Sequence, residues 1–204
     1  MDIAIDHVLL GVPDLEAGMD RVERLLGTRP APGGRHPDFG THNALLSLSP
    51  ACYLEVIAPD PELPTPDRGI GFGLDGLEEP RLVSWALRHP EVDAVAGRAG
   101  LGRVETGSRE RGDGRTLRWR LTDPYAERMG GVIPFLIDWG ETAHPAASAP
   151  PGGRLVDLRV EHPSPDEVRR VLAMLDCDDV TVRRGDAPRL VALIRTADAT
   201  VELS

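Results

Sequence analysis

At 204 residues the chain can hold one large domain or two small ones, and either can bury a substantial core. Aromatic residues make up only 4%, so that core has to be mostly Leu, Val, Ile and Ala. A net charge of −10 and a pI near 5 exclude a general nucleic-acid or anionic-membrane binder, which needs a basic surface, and point to a small-molecule partner.

In chain order, residues 3–12 read as a strand. Asp14 then caps a helix in which Leu15, Met19, Val22 and Leu26 recur on one face, and Gly27 closes it. A short strand at 28–31, a loop at 32–40 and strands at 42–48 and 52–58 complete a β-α-β-β-β unit within residues 1–60. Residues 59–81 hold too many prolines and glycines for a regular element and read as a linker or a loop over a cavity. A second unit spans residues 81–140: a strand at 82–88, a helix at 92–99, strands at 102–107 and 116–121 joined across Asp113-Gly114, and a strand at 132–138. After a second run of breakers, a third unit occupies residues 154–204. Its helix opens on Ser164-Pro165-Asp166-Glu167, a capping box with Pro at the first helical position.

The three starts superpose. Residues 7–17 lie over 84–94 without gaps, with Pro13 meeting Pro90 and Ser84 standing where the first unit has His7. Residues 157–167 fit the same frame, and the last strand carries Glu202 where the first unit has Glu55.

Glu55 needs a reason to be where it is. In a strand it shares a face with Tyr53 and Ile57, so a covered sheet would bury its carboxylate unless it is paired, hydrogen-bonded or bound to a metal. Just before it lies a turn-rich stretch with Arg35, His36, His42 and Asn43, the only Asn of the chain. On the strand at 116–121, Thr116, Arg118 and Arg120 share one face and Leu117, Trp119 and Leu121 the other. If the arginine face is concave, two guanidiniums favour a carboxylate or phosphate; if it faces solvent, they are ordinary surface charges. The runs Arg109-Glu110-Arg111 and Arg169-Arg170 read as solvated faces.

All 23 basic residues are Arg, which excludes Schiff-base chemistry on lysine. Cys52 and Cys177 are expected as two buried, reduced thiols. The N-terminus lacks the basic start and apolar core of a signal peptide, and no apolar run approaches the ~20 residues of a membrane span, so a cytoplasmic protein is expected. There is no G-x-S-x-G, P-loop, H-E-x-x-H or dinucleotide fingerprint.

Asp6-His7-Val8, the Gly33-Gly34-Arg35-His36-Pro37 loop, Asn43-Ala44-Leu45-Leu46, the run 53–59 and the run 134–139 together resemble a glyoxalase-like domain of the vicinal oxygen chelate superfamily. That resemblance implies an α+β fold. Paired βαβββ modules would form a half-open curved mixed sheet with helices on its outer face, and the C-terminal unit would be appended as a third half-module. It also implies a ligand cavity on the concave face, commonly with a divalent metal, and it allows a homodimer. His7 and Glu55 match the family's ligand positions in the first module, and their chemistry suits Fe(II), Mn(II), Zn(II) or Ni(II). The second module departs from the pattern, since Ser84 replaces a ligand and the strand at 132–138 offers no donor before Asp138.

The site expected from these residues is His7 and Glu55 as metal ligands, with Arg35, His36, Asn43, Arg118 and Arg120 around a small, oxygen-rich, anionic molecule under the 59–81 loop. No catalytic residue is singled out. Two classes stay open: a metal-dependent lyase, isomerase or dioxygenase, and a metal-free binding or sequestering protein.

Overall fold

The alternation of apolar residues along the strands builds one strongly curved sheet with two different faces. The computed structural model describes residues 3–110 and 116–204, so the Asp113-Gly114 turn lies outside the described residues. The first unit contains β1 (Ala4–Gly11), α1 (Leu15–Leu26), β2 (Ala31–His36), a 3₁₀ turn at Pro37–Phe39, β3 (Thr41–Ser49) and β4 (Cys52–Pro59). The second contains β5 (Arg81–Arg88), α2 (Val92–Ala99), β6 (Val104–Glu110), β7 (Thr116–Thr122) and β8 (Phe135–Asp138). Their strands form a single sheet in the order β2-β3-β4-β1-β5-β8-β7-β6, curved until its two edge strands, β2 and β6, approach each other. This is the α+β fold expected.

Both amphipathic helices pack on the convex face. Asp14 accepts the Ala17 N–H at the start of α1, Gly27 ends it in the left-handed region, and Leu15, Met19, Val22 and Leu26 are buried. They meet Val8, Leu10, Leu54 and Val56 of the sheet, while Val92, Val95 and Ala96 of α2 cover Trp85, Leu87 and Leu136. The concave face carries a separate cluster that includes Leu9, Tyr53, Ile57, Ala86, Trp119, Phe135 and Ile137. Cys52 and Cys177 are buried and unpaired, and burial pushes their thiols up to about 12 and about 11.

The two modules meet at β1 and β5, and the pairing there is itself twofold. His7 pairs with Ala86 and Leu9 with Ser84, so the two pairs exchange when each residue of β1 is replaced by the one 77 positions later. Ser84 is therefore the structural counterpart of His7. Leu9 pairs with Glu55 in β4 and Ala86 with Phe135 in β8, which makes Phe135 the counterpart of Glu55.

Several local expectations change, among them the strand expected at 28–31, which is not formed before β2 begins at Ala31. The loop expected at 32–40 is mostly strand, because β2 is an edge strand in which Pro32 and a register shift before Gly34 are tolerated. Gly33 is required there: a Cβ would lie 2.2 Å from Asn43 Oδ1 and 2.5 Å from Arg109 Nη1. Ser164 does precede α3 (Pro165–Met174), but its side chain makes no cap bond; instead its N–H donates to His162 Nδ1.

The third unit adds β9 (Arg154–His162), α3, β10 (Thr181–Arg184), β11 (Arg189–Arg195) and β12 (Thr200–Leu203). Its sheet runs β10-β9-β11-β12, so its first strand pairs with its second and third, whereas β1 pairs with the last strand of its module. The element order repeats but the topology does not. Glu202 accordingly sits exposed opposite Leu193 and does not answer Glu55. Leu158, Val160, Val168 and Leu172 join the convex core. Among the described residues no helix is long and apolar enough to cross a membrane.

Candidate functional site

The concave face encloses a small cavity of about 40 Å³. That is room for about three waters. His7, His36, Asn43, Glu55 and Arg109 supply its polar lining; Phe39, Tyr53, Phe72, Trp119, Phe135 and Trp139 supply most of the rest.

His7 and Glu55 come from neighbouring parallel strands and face each other, with Nε2 3.4 Å from Oε2. The other oxygen of Glu55 accepts a 2.6 Å hydrogen bond from Asn43 Nδ2, and Asn43 Oδ1 accepts from Arg109 Nη1 at 3.0 Å. This chain crosses the gap between the edge strands, tying β3 to β6. Tyr53 stacks on the His7 ring, with centroids 4.4 Å apart and planes at 16°. Burial pushes the Tyr53 hydroxyl well above its ordinary range.

Behind His7 lies Asp6, fully buried. The pairing of β1 with β5 shifts register between Ile5 and His7, which leaves Asp6 without a cross-strand partner and re-aims its carboxylate. That carboxylate meets His7 Nδ1 at 2.8 Å and His144 Nε2 at 3.0 Å, accepts from Trp139 Nε1 at 3.2 Å, and lies 3.6 Å from Arg88. Burial opposes its charge, but the hydrogen bonds from His144 and His7 outweigh burial and hold it well below the usual carboxylate range. His144 Nδ1 accepts the Ala146 N–H, so Nε2 carries the proton donated to Asp6. As an ionised carboxylate Asp6 can only accept, so the His7 proton it faces sits on Nδ1. His7 then turns Nε2 to Glu55 and the cavity.

His36 is buried, with Nδ1 3.0 Å from Thr41 Oγ1 and its ring edge-on to Trp119. Burial, helped by the Arg109 charge and opposed by Glu55, pushes it down to about 4, so the ring is neutral at pH 7.

Of the residues singled out from sequence, His7, His36, Asn43 and Glu55 reach this cavity. Three do not. Arg35 is half-exposed, ion-paired with Asp60 at 3.2 Å and with Glu62, and lines a separate outer groove. Arg118 and Arg120 lie on the convex side of β7: both are exposed, and Arg120 bonds Asp93 of α2 at 2.6 Å. Their inward neighbours are Leu117, Trp119 and Leu121. The guanidinium that does face inward is Arg109, expected from sequence on a solvated face and here only 7% exposed. Asp6, Trp139 and His144 were also missed as a group. Only Asp6 and Trp139 appear in the motifs that carry the resemblance, and without roles.

A metal of the kind the resemblance implies does not fit these residues. His7 and Glu55 are two donors, and the twofold register puts Ser84 and Phe135 at the counterpart positions. Ser84 lines an outer groove rather than the cavity, and Phe135 has no donor atom. Asp138 points away and accepts the Gly140 N–H. Among the described residues there is no cluster of three or more His, Cys, Asp or Glu able to hold an ion.

The model of a glyoxalase-like domain matches residues 5–175 of the chain. Among solved structures, a hypothetical protein from Staphylococcus aureus is similar over 100% of this chain and 99% of its own, with a TM-score of 0.70 and 14% identity. A methylmalonyl-CoA epimerase from Mycobacterium tuberculosis covers 67% of this chain and 87% of its own, at 25% identity and a TM-score of 0.43. One from Streptomyces coelicolor, in complex with 2-nitronate-propionyl-CoA, covers 70% and 98%, at 20% identity and 0.45. The S. aureus likeness speaks for the fold alone, C-terminal unit included. The search of curated proteins gives no match.

Proposed function

The chain belongs to the glyoxalase-like domain family, and from that premise we propose that its concave cavity binds a small oxygen-bearing organic molecule against His7 and Glu55 without a resident metal ion. The observation that carries this reading is the polar chain Asp6–His7–Glu55–Asn43–Arg109 running along one wall of an otherwise aromatic cavity. A few placed polar groups in an apolar concavity are the usual form of a small-molecule site.

The anionic ligand expected from sequence loses its support. It required Arg118 and Arg120 inside, and both lie outside. Within the lining, the Arg109 charge is offset by Glu55, and Asp6 adds a negative charge behind His7. A second reading, proton abstraction from the bound molecule, is favoured by one feature: Glu55 Oε2 has no hydrogen-bond donor among the described residues and faces the cavity. A positioned carboxylate of this kind serves as a general base.

The test is a thermal-denaturation panel of small alcohols, phenols, carboxylates and hydroxy acids on the wild type and on Ile137→Trp, which fills the cavity. At a hundredfold excess over Kd a binder stabilises by about 2.7 kcal/mol. At least one class should stabilise the wild type and not the folded, filled variant. No stabilisation, or equal stabilisation of both, refutes the reading. One equivalent of metal in protein purified without tag or chelator refutes its metal-free part.

A further inference from the structure

The cavity beside Glu55 has room for about three waters, too little for an organic molecule of any size unless part of its wall moves. Two outer grooves, of about 840 and 620 Å³, flank the segment that carries Ile70 and Asp75. Asn43 lines both the cavity and the larger groove, and Phe72 lines both the cavity and the smaller one. Asn43 is fixed, held at 2.6 Å to Glu55 and at 3.0 Å to Arg109. Phe72 has only its ring contacts, with centroids 5.2 Å from Phe135 and 6.1 Å from Phe39, and its backbone stands in the left-handed region at φ 61°. A residue other than glycine stays there only while its surroundings hold it, and such positions gather at clamps and switches. Moving the ring gives up two aromatic contacts but releases the backbone, so the two costs oppose each other.

The segment around Phe72 can swing as one piece. Asp75 Oδ2 accepts the Ile70 N–H at 2.9 Å and closes residues 70–75 into a turn, with Gly69 and Gly76 in the left-handed region at its two ends. Among the described residues, one main-chain hydrogen bond leaves residues 61–80 for the rest of the chain, from Phe72 N–H to Pro124 O at 3.2 Å. The side-chain ties beside it end on the same stretch. Arg68 donates to both oxygens of Asp123 at 2.7 and 3.0 Å and lies 4.1 Å from the Tyr125 ring centroid, and the Tyr125 hydroxyl donates to Gly69 O at 3.3 Å. On the far side of the ring, the smaller groove offers the apolar surface of Val83, Pro124 and Pro188 and the space to receive a phenyl group.

Resting on the reading that this cavity is the binding site, we infer that Phe72 is its gate. The turn at 70–75 swings, the ring moves into the smaller groove, and cavity and groove become one space through which a ligand reaches Glu55.

The experiment reads access directly and needs no ligand, so its failure is distinguishable from that of the binding panel. Ile137→Cys sets a thiol in the cavity lining, while Cys52 and Cys177, buried in the convex core, report unfolding. A Cβ at Gly71 would lie 3.8 Å from Pro124 Cβ, the mean spacing across a disulfide, so oxidised Gly71→Cys/Pro124→Cys pins the turn with the Phe72 ring in place. In the full chain, iodoacetamide labelling read by peptide mass should mark position 137 at least tenfold faster than Cys52 or Cys177. Adding Phe72→Ala should raise the rate at position 137 at least tenfold, and adding the cross-link should lower it at least tenfold, with the native cysteines unchanged. Labelling at position 137 no faster than at the native cysteines means that the cavity opens only by unfolding and overturns the gate. A cross-linked rate equal to the free one places the entrance elsewhere and overturns it as well. If the cross-link does not form, an unchanged rate in Phe72→Ala still decides against it.

Discussion

The two modules of the large sheet share a backbone plan down to the register, yet they place opposite chemistry at matching positions. His7 faces Glu55 on the first; their counterparts 77 positions on and across the matching pair are Ser84 and Phe135. Asp6, the buried carboxylate that orients His7, has Val83 as its counterpart. One half of the cavity thus offers polar atoms and the other offers ring faces and aliphatic surface. A repeated backbone fixes where side chains converge but not what they do there, because a sheet tolerates any residue that fits the face it points to. A site with two donors can grip an organic hydroxyl; a divalent ion wants four or more ligands.

The largest effect should come from restoring the missing half. In the triple variant Ser84→His, Phe135→Glu and Phe72→Ala, donors stand at all four matching positions and the ring that separates position 84 from the cavity is gone. Zn²⁺ or Ni²⁺ binding, read by elemental analysis after dialysis, should rise to one ion per chain. If the folded triple variant stays metal-free, the register equivalence does not bring these positions together around one point.

Next in size is the contrast between Asp6 and Val83. Removing one partner of a buried charged network costs about 3–5 kcal/mol, because the groups left behind are unpaired. Asp6→Ala strands His7, His144 and Trp139 and should lose that much in urea denaturation. Val83→Ala, which only trims two methyl groups from an apolar face, should lose about 1–2 kcal/mol. Equal losses would mean that the carboxylate only fills space. The folded pKa of Asp6 is depressed, so its contribution is present above the ordinary value of 3.8 and fades as pH falls below it toward the folded pKa.

Most of the fold was legible because periodicity reports the face of an element directly. The spacing of Leu15, Met19, Val22 and Leu26, the Pro13/Pro90 register and the breakers at 59–81 all describe features visible in the structure. What could not be read depends on contacts distant in sequence. Asp6 shares a strand with His7 but meets Trp139 and His144 from more than 130 residues away, through a bulge that no local pattern marks. Arg109 was misread for a different reason. A run of alternating charges reads as a solvated face, and only the pairing of Arg109 with Leu117, whose side chain points inward, shows that the guanidinium shares that face. The third unit shows the same limit, for a matching element order concealed a different strand pairing.

A further contrast concerns the two side chains that meet edge-on across the cavity, His36 of the first module and Trp119 of the second. The indole does not titrate; the imidazole does. Its folded pKa of about 4 lies below the ordinary 6.5, so the unfolded chain binds the extra proton first. The stability that neutral His36 contributes is complete above pH 6.5 and declines as pH falls toward 4, by roughly 3 kcal/mol in all. Urea midpoints measured at pH 7, 5.5 and 4.5 should fall more steeply for the wild type than for His36→Gln. Parallel profiles would assign the acid sensitivity to other groups.

The smallest expected effect lies between the modules, in the segment that joins them. Phe72 takes φ 61° and ψ 20°, the left-handed region that side chains other than glycine's visit at a cost of about 1–2 kcal/mol. Its ring lines both the cavity and the outer groove beside Ser84 and Arg128, so it forms the partition between them. Phe39 and Phe135 hold it there from the first and second modules respectively. Phe72→Ala and Phe72→Gly both remove the ring and its contacts, but only glycine also removes the backbone cost. The glycine variant should therefore be more stable than the alanine variant by about 1 kcal/mol, a difference that opposes the usual entropic penalty of glycine. An alanine variant as stable as the glycine one would mean that the backbone relaxes once the ring is gone. The left-handed turn would then be a consequence of the ring's seat between the two modules rather than a property of the joining segment.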